Sequence, residues 1–246
     1  MGKGIEGRNA VVVGASSGIG RALALRLARA GWTLGLTGRR VALLESLRAE
    51  IGGGARVKAM DVADVPVAVA GLEALIGELG GVDLVVLNAG TGAVNPDLAW
   101  EREEPAIRVN ALGFAALAGV AMRHFEARGH GHLVGVSSLI SRRGSRSAPA
   151  YSASKAFAAN YLEALTVRAA RSGRPIFVTD VQPGFVDTDL VRGQRGMFWV
   201  ASPERVAEQI HDAIRRRKRR VVVTRRWRIA AFLLERLPYG IWRRIS

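Results

Sequence analysis

Short runs of β-branched and apolar residues alternate along the chain with stretches in which apolar positions recur every three or four residues. The runs read as buried strands at Asn9–Gly14, Trp32–Thr37, Arg56–Met60, Val82–Leu87, His132–Ser137, Pro175–Val181 and Arg220–Val223. The helical periods cover Gly20–Ala30, Val41–Ile51, Pro66–Leu79, Glu104–Arg128 and Ala150–Ser172. Ser202 followed by Pro203 has the form of an N-cap and first helical residue, opening a helix to about Arg216. Regular alternation predicts an α/β fold: one doubly wound parallel sheet of about seven strands, with right-handed crossovers and helices on both faces. In such sheets ligands bind beyond the carboxyl ends of the strands. No repeat at solenoid spacing appears, and Gly52-Gly53-Gly54 reads as a flexible connection within the domain.

The length of 246 residues suits one such domain. Hydrophobic residues make up 49% and charged residues 23%, enough for a substantial core. The absence of cysteine excludes disulfides, thiolate zinc sites and cysteine nucleophiles. Met1 to Asn9 is polar and lacks the pattern of a signal peptide, and no stretch approaches the ~18–20 uninterrupted apolar residues of a spanning helix. A cytoplasmic protein is expected. The net charge of +15 is uneven: residues 205–246 carry thirteen Lys/Arg against three Asp/Glu.

Between the first strand and first helix lies Gly14-Ala15-Ser16-Ser17-Gly18-Ile19-Gly20. Glycines there allow a tight turn and close approach of backbone to a phosphate, and the helix start offers free N–H groups. Five further segments follow in order. Asn88-Ala89-Gly90 comes directly after the fourth strand, Asn110 lies in Arg108-Val109-Asn110-Ala111, and Ser138 ends the fifth strand. Tyr151 and Lys155 stand four apart, Tyr151 thirteen residues after Ser138, and Pro183-Gly184-Phe185-Val186-Asp187-Thr188 follows the sixth strand. Over about residues 8–224 these segments resemble the short-chain dehydrogenase/reductase family, and in particular its NADP-preferring bacterial members with a basic aromatic C-terminal tail. The resemblance implies a Rossmann-type fold and a hydride-transferring oxidoreductase. Val13 stands where the family usually has Thr, and Leu87 where it has the first Asn of its N-N-A-G element. Both family side chains mainly brace the backbone, so local rigidity is in question and the chemistry is not.

NAD selection in this kind of site uses an acidic residue at the end of the second strand, NADP selection a basic one. Here that strand ends Leu36-Thr37-Gly38-Arg39-Arg40, with Gly38 where NAD-preferring relatives carry Asp. Arg39 can offer a forked, charge-assisted bond to a 2′-phosphate, with Arg40 beside it, and NADP(H) is the expected cofactor. The alternative is that both arginines are solvated. Asp61-Val62 resembles the family's adenine-contacting pair, and Asp61 fits a helix N-cap equally well. The resemblance also assigns Asn88, Ala89, Gly90, Pro183 and Gly184 to the cofactor, and Thr188 with the backbone near Val186 to its carboxamide.

Tyr151 and Lys155 share one helix face. A free tyrosine ionises near pH ~10. A cation about 4 Å away at an effective dielectric near 20 contributes roughly 4 kcal/mol, or about three pKa units. Such a lysine would bring the phenol near neutrality. The resemblance implies that Tyr151 is the general acid/base, that Ser138 orients the reacting oxygen, and that Lys155 lowers the Tyr151 pKa and holds the nicotinamide ribose. It also implies that Asn110 supports a proton path to Lys155. Hydride transfer then needs no metal. His130-Gly131-His132 falls in a helix–strand connection with no neighbouring carboxylate, and no metal site is expected there.

The segment with Phe185, Val186, Met197, Phe198 and Trp199 is apolar: either it meets a hydrophobic carbonyl or alcohol substrate, or it only packs a lid. Arg142, Arg143 and Arg146 either meet an anionic substrate group or are solvated. Residues 225–246 form a basic aromatic tail on a 1–224 catalytic unit, as part of the same domain or as a surface extension. Trp227, Phe232, Leu233 and Trp242 beside Arg228, Arg236, Arg243 and Arg244 are the pattern of an interfacial membrane segment, with an anionic surface as partner. Alternatively these apolar residues cover the core or a subunit interface. Pro238 and Gly240 are expected to interrupt any single helix. No nucleic-acid recognition module accompanies the basic run, so no specific nucleic acid is expected. The long helices around 104–128 and 150–172 are the family's usual interface, implying a homodimer or homotetramer. Two other readings compete with the oxidoreductase: a nucleotide-binding sensor without turnover, and a membrane-associated interaction protein.

Overall fold

In β1 (Asn9–Val13), Val12 points to one face of the sheet and Val11 and Val13 to the other, and all three are fully or almost fully buried. Such a continuous apolar run is what a strand covered on both faces requires. The computed structural model describes residues 8–191, 196–224 and 226–245. Residues 1–7, which carry most of the reading of a polar N-terminal segment, lie outside them, as does Arg225 at the start of the tail.

Seven parallel strands make one sheet: β1, β2 (Thr33–Gly38), β3 (Arg56–Ala59), β4 (Leu84–Leu87), β5 (Gly131–Val136), β6 (Ile176–Pro183) and β7 (Arg220–Val223). Their spatial order is β3-β2-β1-β4-β5-β6-β7. In register, Val12 pairs with Leu36 on one side and Val86 on the other. Order reverses between β1 and β4, the switch point where α/β sheets open a crevice beyond their carboxyl ends.

One face is covered by α1 (Gly18–Arg29), α2 (Val41–Ile51) and α7 (Pro203–Arg215), through Leu23, Leu27, Leu44, Leu47, Val206 and Ile210. The other is covered by α3 (Val65–Glu78), α5 (Phe114–Arg128) and α6 (Pro149–Arg171), through Leu72, Leu75, Leu117, Phe125 and Leu162. Each such side chain contributes about 1.5–3 kcal/mol on burial. Ser202 caps α7, accepting from the Arg205 N–H at 3.3 Å. Gly52 and Gly129 close α2 and α5 in the left-handed region, with φ of +99° and +83°.

The expected single helix over Glu104–Arg128 is three pieces. It begins at Trp100 as α4 (Trp100–Ile107), passes through a π-helical segment over Arg108–Gly113, and continues as α5. Pro105 inside α4 brings no N–H to the ladder. The whole Trp100–Arg128 span is long and apolar enough to cross a membrane by length and composition. Half of its most apolar window is buried inside the protein, as a core helix requires. At the C-terminus, α8 (Trp227–Arg236) and α9 (Tyr239–Ile245) are separate helices. Pro238 lies between them, while Gly240 sits within α9.

Candidate active site

The turn after β1 brings the start of α1 to the carboxyl end of the sheet. Gly14 adopts φ +83°, and a Cβ on Gly20 would lie 2.1 Å from the Gly14 carbonyl oxygen, so only glycine fits. Asn88 donates its Nδ2 to that same carbonyl at 2.9 Å. The Asn88 and Ala89 amides donate to the Val13 carbonyl at 3.0 and 2.9 Å. The bracing near Val13 and Leu87 thus runs through backbone, and both side chains are buried in the core. Ser17, the N-cap of α1, is extended and its side chain makes no capping bond. The helix therefore opens with amides that its own N-cap side chain leaves free, an arrangement that suits a pyrophosphate. Ile19 packs on the core, and the Thr188 methyl lies over Gly18.

Arg39 and Arg40 part company. Arg40 donates Nε and Nη2 to Ser16 Oγ at 3.3 and 3.2 Å, bonds Ser17 Oγ, and pairs with Asp189 at 3.1 Å. Arg39 is exposed. Arg40 is the α2 N-cap residue, and that position turns its guanidinium back over the glycine turn. Asp61 accepts from the Ala63 amide at 2.9 Å and does not cap α3: Asp64 does, accepting from Val67 at 3.2 Å. Val62 is buried, and a Cβ on Gly113 would meet its carbonyl at 2.1 Å.

The π-helical segment carries Asn110 inward. Its Oδ1 accepts from the Thr91 amide at 3.0 Å, and its Nδ2 donates to the Thr91 carbonyl at 2.7 Å and Ser154 Oγ at 3.0 Å. A π segment often marks a functional site because the extra residue re-aims one side chain. Lys155, buried on α6, donates Nζ to the Val136 carbonyl at 3.0 Å, one strand position before Ser137 and two before Ser138. Ser138 Oγ accepts from the Ile140 amide at 3.4 Å and is hydrogen-bonded with Tyr151. Asn110, Ser138, Tyr151 and Lys155 therefore gather where β4 and β5 end, with Gly90 between Lys155 and Asn110.

The electrostatics differ from the expectation that Lys155 dominates Tyr151. Burial pushes the phenol above its ordinary value, and the bond with Ser138 opposes it. Burial also pushes the Lys155 amine down to about 8, with the Asp180 charge acting the other way. An amine at about 8 still carries its charge near neutrality, and it is burial of the phenol itself that opposes Tyr151 ionisation. Sequence reasoning overlooked Thr91, Ser154 and Gly92, where a Cβ would lie 2.3 Å from the Tyr151 ring. The Gly-Thr-Gly run at 90–92 was the available signal.

Beyond β6, which Pro183 ends, the Gly184 amide donates to the Val223 carbonyl at 2.9 Å, and Val186 bridges Ala201. A Cβ on Gly184 would lie 2.2 Å from the Trp227 indole. Trp227 of α8 meets Phe185, Phe198 and Trp199, with ring centroids 5.6, 5.0 and 5.5 Å away. The two inner arginines after Ser138 are engaged by the tail. Arg142 pairs with Glu235 and donates to Gln182 at 2.5 Å, and Arg143 donates to the Leu234 carbonyl at 2.8 Å and to that of Leu237. Arg142 is mostly buried and Arg143 half-buried, and both hold partners in the tail or on β6. Arg146 is exposed. His132 is buried against Thr179 at 2.8 Å, and His130 meets Asp83 at 3.3 Å. Among the described residues no group of three His, Cys, Asp or Glu is gathered for a metal.

The family model described as short chain dehydrogenase matches residues 8–197. An uncharacterized oxidoreductase of Myxococcus xanthus is 45% identical over 189 residues, 74% of each chain. An alcohol dehydrogenase of Thermococcus sibiricus, solved with 5-hydroxy-NADP, superposes with a TM-score of 0.79 at 26% identity, covering 89% of this chain and 96% of its own. A short chain dehydrogenase/reductase of Burkholderia phymatum solved with NAD shares the fold, with a TM-score of 0.83 at 22% identity over 92% of both chains.

Proposed function

The chain belongs to the short chain dehydrogenase family, and from that premise we propose that it moves a hydride between NADP(H) and a hydrophobic carbonyl compound or secondary alcohol. That it is an oxidoreductase with a nicotinamide dinucleotide site and a small-molecule substrate follows from the family. The substrate, the phosphate preference and the roles of the residues are our reading. The observation that carries it is the meeting of Ser138, Tyr151, Lys155 and Asn110 at the ends of β4 and β5.

The dinucleotide, when bound, supplies the hydride donor or acceptor. Gly14, Ser16, Ser17, Gly18, Ile19 and Gly20 would hold its pyrophosphate, Asp61 and Val62 its adenine, and Asn88, Ala89 and Gly90 the sugar side. Pro183 and Gly184 would line the cofactor, and Thr188 with the backbone near Val186 would bind its carboxamide. In carbonyl reduction Tyr151 Oη gives its proton to the substrate oxygen, and in alcohol oxidation it takes one back. Ser138 Oγ donates to that oxygen and orients it. Lys155 stabilises the phenolate that remains, and Asn110 holds the Thr91 loop beside it. The phosphate reading moves from Arg39 to Arg40, which already reaches the serines of the turn. The aromatic group of Phe185, Phe198, Trp199 and Trp227 supports an apolar substrate.

Titration of cofactor fluorescence tests this. NADPH should bind tighter than NADH, and Arg40→Ala should weaken NADPH about 10- to 100-fold, from the ~1.5–3 kcal/mol of charge-assisted bonds. NADH should be nearly unaffected, and Arg39→Ala should change little. Tighter NADH binding would overturn the NADP assignment.

Two surfaces extend the proposal. On α8 the buried stripe of Trp227 and Ala231 has an opposite one, with Ile229 and Leu233 66% and 57% exposed beside Arg228 and Arg236. This supports contact with an anionic membrane surface. On α6 and the π segment, exposed Leu112, Phe157 and Val167 support a homodimer or homotetramer, measurable by light scattering.

A further inference from the structure

Asp180 lies in the middle of β6, in register with Gly135 of β5, and is 4% exposed. A carboxylate this deep needs partners. Ser137 Oγ donates to Oδ1, Gln182 Nε2 donates to Oδ2 at 2.5 Å, and Arg220 of β7 approaches Oδ2 at 3.7 Å. Arg220 is itself shared with Glu163 of α6 at 3.4 Å. Arg142, reaching Gln182, adds a second positive charge to the same surroundings.

These contacts sit directly behind the site. Ser137 precedes Ser138, and the carbonyl of Val136 is the acceptor for Lys155 Nζ. The hydrogen bond that Asp180 accepts from Ser137 therefore fixes the strand end from which Ser138 and the lysine's acceptor emerge. The charge acts as well. Lys155 Nζ and Asn110 Oδ1 flank Gly90 on one side, and Asp180 is the charged group that favours the Lys155 ammonium against burial. Burial pushes the Asp180 carboxyl up, while Ser137, Gln182, Arg220 and Arg142 oppose that shift.

We propose that Asp180 is a positioning residue for the reaction: bonded to Ser137 one residue beyond the carbonyl that receives Lys155, it holds the Ser137–Ser138 strand end in place and sets a buried carboxylate behind the lysine. The proposal deepens the oxidoreductase reading and, in its kinetic consequence, rests on it. Asp180 touches neither substrate nor cofactor in this role: it acts through Lys155 and Ser138.

The chain has only four lysines, Lys3, Lys58, Lys155 and Lys218, so ¹³C-lysine labelling of the full-length protein gives a countable set of Cε resonances. Lys155→Met assigns the one in question. Its titration midpoint in the wild type should fall near 8. In Asp180→Asn it should drop by about one unit, the size of a nearby opposite charge removed. A midpoint unchanged within about 0.2 units would overturn the proposal, because a merely structural aspartate would not move it. Should Asp180→Asn fail to fold, the wild type decides alone. Protonation of Asp180 must then appear as a second, acidic inflection of the Lys155 resonance, and its absence overturns the counter-charge. Where wild-type turnover is found, the alkaline limb of the kcat profile should move down with the Lys155 midpoint, with KM for the carbonyl substrate little changed. A wild type that turns over no carbonyl or alcohol would sink the oxidoreductase reading and leave the lysine titration to judge Asp180.

Discussion

Trp227 joins the tail to the site, and its truncation measures how firmly. The indole is 5% exposed, lies against the Gly184 backbone, and contacts Phe185, Phe198 and Trp199 as well as the Leu139–Ala231 cluster. Trp→Ala in a packed core costs about 3–5 kcal/mol. The lower end applies, because Phe198 and Trp199 are 53% and 43% exposed and can fold into the vacated space. The indole Nε1 is buried with no hydrogen-bond partner, so no hydrogen bond is lost to add to the figure. For a chain of this length about 3 kcal/mol corresponds to a Tm lower by roughly 6–12 °C. Trp227→Phe, which keeps an aromatic ring at the contact, should cost much less. Urea unfolding followed by far-UV circular dichroism and calorimetry checks both. If Trp227→Ala costs under about 1 kcal/mol, residues 225–246 are an extension that unfolds apart from the 1–224 unit, and the packing argument fails.

Two other outcomes are expected. Burial pushes His132 down to about 4, so the folded state holds it neutral while the unfolded chain takes up a proton below about 6.5. Stability is therefore lost as pH falls from about 6.5 towards 4, by about 2 kcal/mol at pH ~5 from this group alone. His132→Gln should flatten that limb in urea unfolding at the two pH values, and an unchanged pH dependence would exclude the assignment. On the membrane surface proposal, the wild type should sediment with vesicles containing phosphatidylglycerol, and less so at high salt. Replacing Ile229 and Leu233 by Ser should weaken sedimentation without unfolding the protein, since both side chains already face outward. Equal sedimentation of the double variant would refute contact through α8.

The strand–helix alternation was legible because parallel strands buried on both faces carry continuous apolar runs, and because the helices between them carry one-sided stripes. The positions that gather at the site were legible because the residue types stand at spacings that the βα connections convert into proximity. What escaped follows from features that periodicity averages away. One extra residue per turn over Arg108–Gly113 hardly disturbs an apolar pattern, yet it aims Asn110 at Thr91. Arg39 and Arg40 differ by one position in sequence, and only the backbone at the start of α2 decides which guanidinium returns to the glycine turn. Asp180 left a readable signal, an acidic residue inside an apolar strand run, but its partners come from Ser137 just past β5, from β6 itself and from β7. The Tyr151 argument put a full charge beside a phenol and omitted the desolvation of both groups, which pushes the phenol up and the amine down.

The way the tail is held bears on the proposed substrate. An anionic substrate would have to take Arg142 or Arg143 from partners already in place. Arg142 would leave Glu235 and Gln182, and Arg143 would expose the Leu234 and Leu237 carbonyls at the end of α8. Each exchange sets a new charged hydrogen bond against an existing one, so the net gain is small. Apolar contact with Phe185, Phe198 and Trp199 meets no such competitor, since these rings gain by any further surface that leaves water. The same arginines that would recognise an anion thus anchor α8 behind the aromatic group, which supports the proposed uncharged, apolar carbonyl substrate over an anionic one.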